Sequence, residues 1–192
     1  MKTIAKHTLV DTEKTIVDTD HQPKNRLDKW IFTLGNGLSL LFILTVGISF
    51  YEVVMRYVFN APTIWVHETA SFIGGALFVF GGSYALAINK HVRVVLVYDS
   101  VSPRIKSYLN IFHHIMGLML TAMLCFAAYQ MASSSWITPW GSIQAETSGS
   151  AWNPAFPAYL KAIILLTVSI MFIQFCLHLV AEIQSLRKRD HV

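Results

Sequence analysis

The chain has 192 residues, of which 54% are hydrophobic and only 14% are charged. Soluble domains carry about 25% charged residues, so the composition indicates an integral membrane protein without a separate soluble domain. The net charge of +4 does not indicate nucleic-acid binding, because the basic residues flank the apolar blocks. The two cysteines lie inside apolar blocks and lack the spacing of zinc ligands, so we interpret them as free thiols.

Four apolar blocks are each long enough to cross a hydrocarbon core, which takes about 20 helical residues. The predicted fold class is therefore an all-α integral membrane protein with four transmembrane helices. A polar tail, 1–23, is expected to be mobile and lacks the apolar core of a cleavable signal peptide. Residues 24–192 form one membrane domain, with helices predicted at about 30–57, 65–88, 104–133 and 158–183.

The first two helices are joined by a short turn, in which Asn60 and Pro62 disfavour helix. Three charged residues surround this turn. Glu52 and Arg56 can pair because they are four residues apart on one helix, and Glu68 begins the next helix at a similar depth. We expect a structural cluster of these three residues. The alternatives are solvated interfacial charges, a contact with a partner subunit, or a direct ion or substrate site.

The second helix carries small residues at spacings of three, four and seven. Small side chains let helices approach closely in a bilayer, so this strip predicts tight helix packing. The strip consists of Ser71, Gly74, Gly75, Gly81 and Gly82.

The connection after the second helix shows an imperfect alternation of apolar and polar residues over 89–99. An open strand edge cannot lie in lipid, so we predict a short interfacial segment. Ser102 and Pro103 then predict the N-cap and first residue of the third helix. The basic residues lie before the first helix, between the second and third, and after the fourth. The positive-inside rule therefore predicts that both termini are cytoplasmic.

Three histidines are candidate cofactor ligands. His113 and His114 on the third helix and His178 on the fourth are predicted at comparable depths. Such residues could hold a haem, as in a membrane anchor of an electron-transfer enzyme. The simpler interpretation is hydrogen bonding to the backbone or to a lipid headgroup. We find no phosphate-binding loop, catalytic set or metal-ligand set, and expect that the chain is not an enzyme.

A series of short motifs points to a family. The run Arg56-Tyr57-Val58-Phe59-Asn60 is followed by Pro62, Trp65, Glu68, a glycine-rich helix and His91-Val92-Arg93-Val94. This order resembles the small membrane subunit of tripartite ATP-independent periplasmic (TRAP) transporters, over roughly 27–183. Relatives often carry acids at the positions of His67 and Val95, so any contacts of those acids are absent or rewired here.

The resemblance implies a small scaffold subunit of a sodium-coupled secondary transporter in a bacterial inner membrane. It implies two protein partners: a large membrane subunit with the substrate and sodium sites, and a periplasmic binding protein that delivers an organic acid or similar solute. The small subunit would need no cofactor and would otherwise contact membrane lipids. An assembly factor without a transport role is a further possibility.

On this interpretation, the residues of the turn and of the following motif are structural or interaction sites: Glu52, Arg56, Asn60, Trp65, Glu68, His91 and Arg93. Three tryptophans of the outer loop are candidate contacts with the binding protein, and anchoring at the membrane interface is an equally good explanation. They are Trp136, Trp140 and Trp152.

Overall fold

The structure, a computed structural model, describes residues 23, 25–88 and 102–190, apart from the side chains of 103, 104 and 188–190. Four helices follow one another in this part of the chain: α1 (Arg26–Tyr57), α2 (Val66–Ala87), α3 (Pro103–Trp136) and α4 (Phe156–Asp190). Each is long and apolar enough to cross a membrane. The prediction of an all-α protein with four transmembrane helices is confirmed. The predicted tail, 1–23, lies outside the described residues except for Pro23, and so does the whole predicted interfacial segment, 89–99.

The helices are longer at several ends than the hydrophobic pattern predicts. α1 begins at Arg26, four residues before the predicted start, and the Asp28 carboxylate accepts a hydrogen bond from the backbone N–H of Asn25 at 3.3 Å. This bond satisfies one of the free N–H groups at a helix start. α4 continues to Asp190 through polar residues that favour helix, seven residues past its predicted end. Hydrophobicity marks the membrane-crossing part of a helix, whereas capping and propensity set its ends.

The helices pack mainly in three pairs: α1 with α2, α2 with α4, and α3 with α4. Two of these contacts depend on glycine. A Cβ atom at Gly117 would lie 2.3 Å from the ring of Phe175, and one at Gly35 would lie 2.3 Å from the ring of Tyr84. Each glycine therefore lets an aromatic ring of the adjacent helix lie directly on the backbone.

The predicted strip of small residues on α2 does not form one packed face. Gly75 lies against Leu160, and Gly82 lies against Met171, both on α4. A Cβ atom at Gly74 or Gly81 would have no atom within 4 Å, and Ser71 is exposed. These residues face different directions because each successive residue is rotated by about 100° around the helix axis. Of the five residues in the strip, only Gly75 and Gly82 pack against α4.

The antiparallel arrangement gives the bundle two distinct ends. Asp28 at the start of α1 contacts His178 near the end of α4, and we call this side the terminal end. The connections 58–65 and 137–155 lie at the opposite side, which we call the hairpin end.

Candidate functional site

Glu52 is the centre of a polar cluster at the hairpin end. Its buried carboxylate accepts hydrogen bonds from Nε and Nη2 of Arg56, at 3.1 and 2.6 Å. Its second oxygen accepts the backbone N–H of Thr63 at 3.0 Å and also the Thr63 hydroxyl. Thr63 lies beyond the turn, so this carboxylate fastens the α1–α2 connection to α1.

The turn itself brings Thr63 back to α1. Asn60 has a φ of 51°, a left-handed conformation that asparagine tolerates better than most residues. The N–H of the next residue, Ala61, donates to the carbonyl of Met55 at 2.9 Å. Asn60 is thus a backbone residue of the turn, as the sequence predicts, and its position explains how residues eleven apart meet in the Glu52–Thr63 contact.

Glu68 does not join this cluster, which corrects the predicted Glu52–Arg56–Glu68 arrangement. No ion pair links Glu68 to Arg56 among the described residues, and its buried Oε2 has no hydrogen-bond partner there. The guanidinium is engaged one helical turn back, at Glu52. Trp65 lies near the ring of Tyr51, with centroids 6.5 Å apart, and His67 is exposed. The candidate residues His91 and Arg93 fall outside the described ranges.

A second, more deeply buried polar cluster lies at the terminal end. The Asp28 carboxylate bonds to Nε2 of His178 at 2.8 Å and accepts Nε2 of Gln174 at 3.0 Å. The Gln174 amide oxygen accepts the hydroxyl of Ser83 at 2.7 Å. Each of these four side chains is at most 4% exposed. They tie α1, α2 and α4 together through a continuous network. Such networks are worth most when every group is satisfied.

α3 contacts this buried cluster through His114. Its ring packs edge-on against His178, with centroids 5.6 Å apart, and contacts the ring of Phe175. His113 also lies beside Phe175. The structure therefore brings together all three histidines that the sequence selected as candidate haem ligands.

The geometry favours a structural role for these histidines over haem ligation. Nε2 of His178 is already engaged by the Asp28 carboxylate, at 2.8 Å. A haem iron bound at this nitrogen would displace Asp28 from a buried pair. The space between α3 and α4 is also filled where Phe175 lies on Gly117. His178 thus resembles a hydrogen-bonded core histidine.

A third polar cluster fixes the connection between α3 and α4. Lys161 at the start of α4 bonds to the carboxylate of Glu146 and to the Ser135 hydroxyl, the latter at 2.6 Å. Ser135 also donates to Glu146. Hydrogen bonds from Lys161 and then from Ser135 lower the pKa of Glu146 below its ordinary value of 4.5. The pair neutralises the charge of Lys161, which lies at the hairpin end, as the Glu52–Arg56 pair does.

The three tryptophans of this connection differ in exposure. Trp136 donates its indole N–H to the carbonyl of Ala158 at 3.1 Å and packs on Tyr159, so it anchors α3 to α4. Trp152 packs edge-on against Phe156. Trp140 is 87% exposed and is the tryptophan most open to a partner.

Sequence reasoning missed seven residues of these clusters: Asp28, Thr63, Ser83, Ser135, Glu146, Lys161 and Gln174. Asp28 looked like part of a charged flank, because basic residues stand on both sides of it. A signal was present in α4, where Gln174 and His178 are polar and one turn apart within an apolar helix. Their partners lie on other helices, which the sequence pattern does not pair.

All three clusters lie at the ends of the bundle. Each connects helices or a helix and its adjoining loop. Within the described residues, no group of three or more His, Cys, Asp or Glu side chains is placed so that it could hold a metal ion.

The comparisons with known proteins agree with this architecture. Residues 45–189, which are 145 of the 192, match the family described as "Tripartite ATP-independent periplasmic transporters, DctQ component". No individual curated protein matches the sequence. The match covers the cluster around Glu52, α2, α3 and α4 as far as residue 189, and it begins after Asp28. The chain is therefore a transporter component rather than an enzyme, and it belongs to the DctQ family of TRAP transporters.

Proposed function

We propose that this chain is the small subunit of a sodium-coupled TRAP transporter and forms a fixed part of the membrane complex. On this proposal a large membrane subunit carries the substrate and sodium sites. A periplasmic binding protein delivers an organic acid or similar solute. The chain crosses a bacterial inner membrane with both termini in the cytoplasm, and it needs no cofactor. Membership of a family from a tripartite system supports this assignment.

The position of the buried polar groups carries the proposal. Polar clusters at both ends of the bundle join helices to one another: Glu52 with Thr63, and Asp28 with His178. Solute pathways in membranes are lined by polar groups that face a cavity. In α1, by contrast, Thr45 and Ser49 bond to carbonyls of their own helix. This distribution supports the proposal of a braced, static bundle.

Reconstitution into liposomes tests the proposal. The large subunit and the binding protein are reconstituted with and without this chain, and solute uptake is measured under a sodium gradient. We expect uptake only when the chain is present, and none from the chain alone. Uptake by the chain alone would contradict the proposal. Full uptake without it would favour an assembly factor.

An absorption spectrum of the purified chain tests the competing function. We expect no Soret band. A band that disappears in His178→Ala would instead favour a haem-bearing membrane anchor.

A further inference from the structure

α1 is the helix least covered by the rest of the chain, since no residue of its most apolar stretch is buried. Its exposed hydroxyl groups are nevertheless compatible with lipid, because each donates to a backbone carbonyl of the preceding turn. These residues are Thr33, Ser39, Thr45 and Ser49.

Asn36 is different from these residues. Its amide oxygen accepts the hydroxyl of Tyr84 on α2 at 3.3 Å, while its NH₂ group has no hydrogen-bond partner among the described residues. Tyr84 is held in place by stacking on Phe32, with ring centroids 5.8 Å apart, and by its contact with Gly35. The amide oxygen of Asn36 is therefore bonded within the chain, whereas its exposed NH₂ group is available to a partner.

The open amide lies in a groove of about 270 Å³ between α1 and α2. Gly35 and Gly81 form part of the lining, together with the side chains of Phe42 and Phe80. A Cβ atom at Gly81 would meet no atom within 4 Å, so the groove is open there. Small residues beside an open groove allow another helix to approach closely.

The depth of Asn36 limits what can satisfy its amide. It lies about 9 Å along the helix axis beyond Trp30, an exposed tryptophan of the type that marks membrane interfaces. Lipid tails supply no hydrogen-bond acceptor at this depth, and an unsatisfied polar group there is costly. The acceptor must come from another protein segment within the membrane.

We infer that the α1–α2 groove, with Asn36 at its centre, is the docking site for a transmembrane helix of the large membrane subunit. That helix presents a hydrogen-bond acceptor, such as a hydroxyl or carbonyl oxygen, to the NH₂ group of Asn36. The inference rests on the proposed function, which supplies the partner, and it specifies the surface that the partner covers.

Photo-crosslinking of the co-expressed complex tests the surface. Phe42 in the groove and Phe126 on α3 are similarly exposed, at 64% and 67%. Each is replaced in turn, as Phe42→p-benzoylphenylalanine and Phe126→p-benzoylphenylalanine. We expect an adduct with the large subunit from position 42 and none from position 126.

The other outcomes distinguish failure of the docking-site inference from failure of the proposed function. Co-purification of the large subunit without an adduct at position 42, or with an adduct to a second copy of this chain, overturns the inference alone. Failure of the large subunit to co-purify with the unmodified chain overturns the proposed function and the inference with it.

A substitution at Asn36 tests the hydrogen bond. Asn36→Leu keeps the size of the side chain and removes the amide, so we expect roughly 3- to 30-fold weaker retention of the large subunit. Ser49→Leu is the control, because Ser49 is exposed on the same helix and bonds to its own backbone. Retention of Asn36→Leu equal to that of the control overturns the inference, provided that both variants are recovered in equal amounts.

Discussion

At the scale of single residues, the buried carboxylates have unequal surroundings. Asp28 is enclosed by three helices and reaches His178 and Gln174, which are 150 and 146 residues away along the chain. Glu52 bonds mostly to groups of its own hairpin, and its partner Arg56 is half exposed. Loss of a partner therefore leaves Asp28 in a medium that cannot solvate it, whereas water can reach the Glu52–Arg56 pair.

The buried cluster around Asp28, at the terminal end, gives the first prediction. Asp28→Ala leaves His178 and Gln174 without their acceptor, and we expect a loss of about 3–5 kcal/mol in the free energy of unfolding. Unfolding of the detergent-solubilised chain measures this loss. Thr33→Ala is the control, since Thr33 is exposed on the same helix and bonds to its own backbone. Equal stability of the two variants would contradict a structural role for Asp28.

The cluster around Glu52 predicts which of two substitutions destabilises the protein more. Glu52→Ala removes the acceptor of both Arg56 and Thr63, whereas Arg56→Ala leaves the Thr63 bonds in place. We therefore expect Glu52→Ala to lower the unfolding midpoint more than Arg56→Ala does. The reverse order in the same assay would show that the turn does not depend on the carboxylate.

At the scale of elements, the helices could be predicted better than their contacts. The four apolar blocks correctly predicted four helices, because the length of an apolar block indicates whether a helix can cross the membrane. The spacing of Glu52 and Arg56 gave their pairing, since residues four apart share a helix face. Asp28–His178 and Glu146–Lys161 could not be predicted in this way, because each pair depends on how two elements are rotated and aligned. The partition of the α2 glycines between two faces has the same origin.

The contact between α3 and α4 gives a prediction about packing. In Gly117→Ala the new methyl group would overlap the ring of Phe175, so we expect a loss of about 1–3 kcal/mol in stability. Gly74→Ala is the matched control, because its methyl group would meet no atom within 4 Å. The two variants are compared by unfolding in detergent. A tolerated Gly117→Ala would mean that the helices do not pack closely at this point.

The connection between α3 and α4 gives a prediction about pH. The folded-state pKa of Glu146 lies below its ordinary value of 4.5, so its contribution to stability is complete above that value. The contribution is lost as the pH falls through the lowered pKa. We expect Glu146→Gln to have a lower unfolding midpoint than the wild type at neutral pH, and the difference to shrink in acid. A difference independent of pH would exclude an ionic role for Glu146.

At the scale of the whole molecule, the arrangement of the charged groups gives a prediction about topology. Among the described residues, Arg56 and Lys161 at the hairpin end are paired, with Glu52 and Glu146 respectively. In the sequence, the other lysines and arginines lie in three groups, up to residue 29, at 90–106 and at 187–189. We expect alkaline phosphatase inserted at Gly149 to be active in the periplasm, and a fluorescent protein fused to the C-terminus to fluoresce in the cytoplasm. The opposite pattern of activities would reverse the proposed orientation.

The bond between the first and last helices also constrains how the bundle is made. Asp28 leaves the ribosome 150 residues before His178, which at 5–20 residues per second corresponds to a wait of roughly 8–30 s. During synthesis its carboxylate has no partner on α4 until His178 has been added, so the contact between α1 and α4 forms only after that point. A chain truncated before α4 would keep an uncompensated carboxylate at the membrane edge. Synthesis of α4 is thereby coupled to closure of the bundle, and a chain without α4 differs from the closed bundle by an exposed negative charge.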